Sequence, residues 1–130
     1  MENYENNAFF WQKVDSLYLS GTRKIIKKKG EIHDTFKNLV YPLDYARIED
    51  MKSVSGHGVA VYLGSENRNK VSALVVAADI LEKELDVKVL AGCTEEEIEE
   101  VLRYLNQTEF QKTVLIKRGI EIPDWSQADN

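Results

Sequence analysis

Ser55-Gly56-His57-Gly58-Val59-Ala60-Val61 is the stretch on which the fold turns. Glycines bracket His57, and lone glycines of this kind allow a turn or a close backbone approach to a ligand. Val59 to Leu63 then begins an apolar run of strand length, and Ser72 to Ala78 is another. Turn-rich Gly64-Ser65-Glu66-Asn67-Arg68-Asn69 separates them, so the two runs read as a hairpin. Working outward, Tyr41-Pro42-Leu43-Asp44-Tyr45 lies upstream and Asp86-Val87-Lys88-Val89-Leu90 downstream. Pro42 pushes Tyr41 away from helical geometry, which makes Phe36 to Tyr41 an extended segment. Arg23 to Lys27, Val87 to Leu90 and Val114 to Ile116 read as further strands.

Two helices frame these strands. Phe10, Val14, Leu17 and Tyr18 fall at i, i+4, i+7 and i+8, one apolar face of a helix over Phe9 to Leu19 that Gly21 ends. Thr94 followed by Glu97 forms a capping box. Ile98, Val101, Leu102 and Leu105 then continue at helical spacing. Glu95, Glu96, Glu99 and Glu100 face solvent and favour the positive end of the helix dipole, a better account of the acid cluster than metal binding.

At 130 residues the chain fits one domain, expected over 8–122, and can bury a core without a disulfide or a structural metal. The polar ends, 1–7 and 123–130, read as flexible tails. One cysteine, Cys93, permits no internal disulfide, and no signal-like segment opens the chain, which points to the cytoplasm. No apolar run approaches the roughly 20 residues needed to cross a bilayer. A net charge of −5 disfavours nonspecific nucleic-acid binding. The charge is uneven: Arg23, Lys24, Lys27, Lys28 and Lys29 cluster without an acid among them. That run reads either as a lysine-protected edge strand or as a small-anion site.

In their order these segments resemble the soluble inorganic pyrophosphatases, most closely a short bacterial branch, over roughly Trp11 to Arg118. That family writes Pro-x-Asn-Tyr-Gly, then Asp-Gly-Asp-Pro-hydrophobic-Asp-Val, then an Asp-x-Lys strand. In the same register the three acids become Ser55, His57 and Ala60, while Gly56 and Val61 match. Gly92 to Glu99 matches the branch's helix after the Asp-x-Lys strand, and a further family acid falls on Ile26. The resemblance implies an α+β fold, a small OB-like five-stranded β-barrel or curved sheet with two to three helices, and a site in the barrel mouth.

Pyrophosphate hydrolysis needs several Mg²⁺ ions, and hard cations need oxygen ligands. Ser55 offers a neutral oxygen, His57 a nitrogen that Mg²⁺ does not favour, and Ala60 nothing. Asp86 is the main surviving carboxylate match; Asp79 or Glu82 could replace another. The resemblance carries phosphate contact onto Lys29, Tyr45 and Lys88, with Lys112 a looser candidate. His57 is a turn residue or a direct ligand contact, and pairing it with Asp86 or His33 would be needed for Zn²⁺. Ala46 and Asp44, where the family has glycine and asparagine, are expected beside the pocket. Plainer readings stand alongside: Tyr45 as packing, Asp86 with Lys88 as an ion pair on one strand face, Cys93 as a small buried hydrophobe or a thiol near a helix N-terminus.

Loss of acids from a site that keeps its lysines leaves a positive pocket. The expected function is therefore a catalytically silent pyrophosphatase-fold protein that binds and sequesters a phosphorylated small molecule, such as a nucleotide or nucleotide-derived signal. Its ligand set is Lys29, Tyr45, His57, Asp86, Lys88 and Lys112, with no catalytic residue, metal or cofactor, no nucleic-acid or membrane partner, and homo-oligomerisation open to it. The alternative is a divergent Mg²⁺-dependent pyrophosphatase or phosphohydrolase using Asp79, Glu82, Asp86 and Glu31. A structural subunit regulating a true pyrophosphatase is the remaining reading.

Overall fold

The computed structural model describes residues 6–53, 56 and 58–119, so Ser55, His57 and most of both predicted tails lie outside the described residues. In chain order the elements are α1 (Ala8–Ser20), β1 (Arg23–Lys27), β2 (Asp44–Ile48), β3 (Val59–Leu63), β4 (Val71–Asp79), β5 (Glu84–Ala91), α2 (Glu95–Leu105) and β6 (Gln111–Lys117). The strands make one mixed sheet in the order β1-β2-β3-β5-β4-β6. All neighbours are antiparallel except β3 and β5, which run parallel and match Val61, Tyr62 and Leu63 to Val89, Leu90 and Ala91.

Side chains alternate between the two faces of each strand, and here both faces are covered. Tyr45, Ala60, Tyr62, Val75 and Leu90 pack with Ile98, Val101, Tyr104 and Leu105 of α2. Ala46, Val61, Leu63, Leu74 and Val89 pack with Trp11 and Tyr18 of α1. Every residue of β3 is buried, as expected for a central strand roofed on both sides, whose sequence is then a continuous apolar run. Gly58 delivers the chain into β3 at φ +79°, and a Cβ there would meet the Ile48 carbonyl oxygen at 2.7 Å. Asn7 caps α1 by accepting from the Phe10 N–H at 2.9 Å. The Thr94–Glu97 capping box opens α2 as the sequence predicts.

Three expectations need correction. First, the expected α+β class with two helices is present, but the sheet has six strands and is not closed into a five-stranded barrel. Second, β3 and β4 do not form a hairpin: β5 lies between them, and β4 reverses into β5 instead. The reversal contains no glycine or proline. Asp79 Oδ1 accepts from the Leu81 and Glu82 N–H groups, both at 2.9 Å, and Lys83 takes φ +58°. Third, Phe36 to Tyr41 is not a strand, because only Val40 forms a bridge, to Ile32. The missed strand, β2, starts after Pro42 has passed, at Asp44.

Candidate functional site

Alternation along β2 and β3 turns Tyr45, Arg47, Ala60 and Tyr62 toward the α2 face, and along β5 it turns Lys88 the same way. Tyr45, Arg47, Tyr62 and Lys88, with Tyr41 and Tyr104, border a cavity of about 530 Å³. Its aromatic wall is continuous: Tyr45 lies 5.3 Å from Tyr41 and 5.2 Å from Tyr62, and Tyr41 lies 5.5 Å from Tyr104, between ring centroids. Burial raises the pKa of all four phenols above the ordinary tyrosine value, so each remains a neutral hydroxyl. Tyr41 and Tyr104 also share a hydrogen bond.

Two cations enter this wall. The Arg47 guanidinium lies 5.6 Å from the Tyr45 ring centroid, within cation–π range. Lys88 keeps only 16% of its side chain exposed, with Asp86 at 3.8 Å. Desolvation holds the Lys88 pKa below the ordinary lysine value; Asp86 works against that shift, and Arg47 adds to it. Two like charges thus meet in a half-enclosed space, where Asp86, Glu84 and Asp79 offset part of the desolvation of Lys88. Across the ladder from Arg47 stands Ala60.

The remaining border differs in character. Asp79, Glu82 and Glu84 line it with carboxylates, while His33, Phe36, Thr108 and Phe110 supply a ring-rich portion. Phe36 lies 5.3 Å from His33 and 5.4 Å from Phe110. Among the described residues no cluster of three or more histidine, cysteine or acidic side chains is placed to hold a metal.

Of the residues expected to bind a ligand, Tyr45 and Lys88 meet in this cavity, and Asp86 adjoins it through its ion pair with Lys88. Lys29 does not reach it. It borders a neighbouring cleft of about 350 Å³ with Gly30, Pro42 and Arg103, and Tyr41 with Tyr104 forms the wall common to both spaces. Lys112 sits on β6, its ammonium donating to the Asn106 carbonyl at 3.1 Å, outside the residues that line either space. His57 lies outside the described residues.

Ala46 and Asp44 are not beside the pocket, because alternation turns them to the opposite face from Tyr45. Ala46 is buried in the α1-side core. Asp44 accepts the Lys29 N–H at 2.9 Å and meets Arg68 at 3.2 Å, and that backbone hydrogen bond is the first reason its pKa is lowered. β1 is an exposed edge strand, and its Lys27 pairs with Asp34 at 2.8 Å. Burial pushes the Cys93 thiol up to about 12, leaving it an inert small hydrophobe.

Arg47 and Thr108 are among the lining residues that the sequence did not mark as ligand contacts, and His33 entered only as a possible Zn²⁺ partner of His57. Arg47 was within reach of period-2 reasoning: once Tyr45 is placed on a strand facing the site, the residue two positions on shares that face. Thr108 had no such signal, since it stands in the short loop between α2 and β6. No family model, curated protein or solved structure matches the chain.

Proposed function

We propose that this chain uses a scaffold related to the soluble pyrophosphatases, its metal-binding acids replaced, to bind a phosphorylated small molecule without hydrolysing it. The observation behind this reading is the convergence of Lys88 and Arg47 on one half-enclosed, tyrosine-walled cavity. A phosphate oxygen there can accept from an ammonium, a guanidinium and neutral phenols together, and charge-assisted bonds of this kind are the strong ones. Of the three positions to which the resemblance assigns phosphate contact, Tyr45 and Lys88 belong to that set and Lys29 does not. The open six-stranded sheet is an elaboration of the related barrel in this reading.

The Mg²⁺ centre of the related enzymes is not matched by the donors present. Position 60 has no side-chain oxygen, Asp79 Oδ1 already accepts two backbone N–H groups, and Lys88 and Arg47 repel a dication from the space between. No hydrolytic step is assigned on this site.

Calorimetry with pyrophosphate and a panel of nucleotides, with and without EDTA, tests the reading. Binding is expected in EDTA, weakened about ten-fold or more by Lys88→Ala, since a charge-assisted hydrogen bond is worth roughly 1.5–3 kcal/mol. Phosphate release is expected to stay at background with Mg²⁺, Mn²⁺ or Zn²⁺. Turnover that Asp86→Asn abolishes would establish the hydrolase instead.

A further inference from the structure

Polar atoms in the ring-rich portion of the cavity have been left without partners, and they say what kind of molecule fits there. His33 is held by its own turn. Its Nδ1 accepts from the Thr35 N–H at 3.0 Å and the Phe36 N–H at 3.1 Å. A nitrogen that accepts two hydrogen bonds bears no proton, so the neutral ring carries its hydrogen on Nε2, at the tip of the side chain and away from the backbone just satisfied. The ring is also fixed in plane, lying stacked on Tyr41 at 5.8 Å and 11°. Nε2 has no partner among the described residues.

Thr108 supplies a second, independent sign. Its hydroxyl oxygen is buried and has no hydrogen-bond partner, and since the residue itself lines the cavity, a turn about χ1 is what would bring the hydroxyl to a molecule held there. A buried hydroxyl without a partner is costly to keep and uncommon in native proteins. Phe36 and Phe110, which flank this portion, offer flat apolar surface.

We infer that this portion is a base-recognition pocket: a planar heterocycle packs against Phe36 and Phe110, while the His33 Nε2–H and the Thr108 hydroxyl hydrogen-bond its edge. The inference rests on the phosphate-binding reading of the same cavity and narrows it, from any phosphorylated compound to nucleotides. The Nε2–H is a fixed donor and requires a ring nitrogen or carbonyl acceptor. The threonine hydroxyl can donate or accept, so it tolerates either partner on the adjacent edge position. Pyrophosphate and sugar phosphates would leave both groups unpaired. A site built to hydrogen-bond a substrate edge discriminates strongly against compounds that lack it.

Two substitutions separate recognition from folding. Thr108→Val keeps the shape and removes the unpaired hydroxyl. His33→Asn removes the ring and its Nε2–H, while its Oδ1 can still accept the turn's N–H groups as an Asx turn does. The probes are a nucleoside monophosphate, ribose 5-phosphate and pyrophosphate, measured by calorimetry in EDTA against the full chain. The nucleotide is expected to bind at least about ten-fold tighter than either ring-free compound. Each variant should weaken the nucleotide about five- to ten-fold, the worth of one hydrogen bond, and leave pyrophosphate within two-fold. Thr108→Val should also raise the melting temperature of the free protein. In ¹⁵N spectra of the neutral imidazole, the proton should reside on Nε2. Nucleotide affinity unchanged in both variants, or no preference over pyrophosphate, overturns the base pocket while pyrophosphate binding and its Lys88 dependence keep the phosphate reading intact. Failure of every compound to bind overturns both.

Discussion

At the scale of single residues, Lys88 is the side chain whose placement costs the fold most clearly. Desolvation lowers its pKa, and Asp86, 3.8 Å away, only partly opposes this. The unfolded chain therefore binds more protons than the folded one between the two pKa values, and stability rises with pH across that interval. Below that interval the penalty is fully present. Lys88→Met is accordingly expected to stabilise the free protein, by about 0.5–2 kcal/mol, the usual gain from relieving a functional liability. Urea denaturation at pH 7 and at pH 10 checks this, because the wild type should gain stability at the higher pH relative to the variant. A variant less stable than wild type at pH 7 would mean that the Asp86 pair outweighs desolvation. The site itself was partly legible. Tyr45 and Lys88 were reached through the family resemblance, since the strand that carries Tyr45 was not read from the local pattern, whereas Lys29 fell in the adjoining cleft because its backbone is tied to Asp44 on the other face of β2.

Elements explain what the local pattern revealed and what it hid. The capping box of α2 was readable because its partners lie three residues apart, but Glu97 does more than cap. Its carboxylate accepts the Thr94 N–H at 2.8 Å and the Ser65 N–H at 3.1 Å, so it joins the end of β3 to the start of α2. Burial alone would raise its pKa; the hydrogen bonds to Thr94 and Ser65 bring it below the ordinary glutamate value. A lowered carboxylate adds stability above its unfolded pKa and loses it as pH falls through the folded value. Glu97→Gln should therefore match wild type in acid and fall behind it above about pH 4.3, the ordinary glutamate value. Thr94→Ala should cost about 1 kcal/mol. Gly64→Ala should cost at least as much, since its Cβ would meet the Gly92 carbonyl oxygen at 2.2 Å and the Cys93 Cα at 2.6 Å, both backbone atoms. Chemical denaturation of the three variants across pH orders these effects; a pH-independent Glu97→Gln would remove the linkage. By contrast, the β4–β5 reversal was hidden because Asp79 builds it with a side chain and Lys83 adopts a conformation that glycine usually marks.

On the scale of the whole molecule, the strand order divides the sheet into two three-stranded halves, β1-β2-β3 and β5-β4-β6, each with sequence neighbours paired on at least one side. Only the parallel β3–β5 pairing joins them within the sheet, and no local pattern announces it, because parallel strands pair across long stretches of chain. That is why the apolar runs were recognised as strands but wrongly paired. The cavity lies across this line: Tyr45, Arg47 and Tyr62 come from one half, Lys88, Asp79 and Gln111 from the other. A molecule bound there would act as a rivet between the two leaves. Partial opening along the β3–β5 line, which is matched at three residue pairs, would break the ligand's contacts before the helices unravel. At a ligand concentration 100 times Kd, amide hydrogen exchange limited by that opening should slow about 100-fold. The amides of Val61 to Leu63 and Val89 to Ala91 would report it, and α1 should change less. Equal slowing in α1 would show that the leaves separate only when the entire chain unfolds, and the rivet would then hold the molecule shut as one piece.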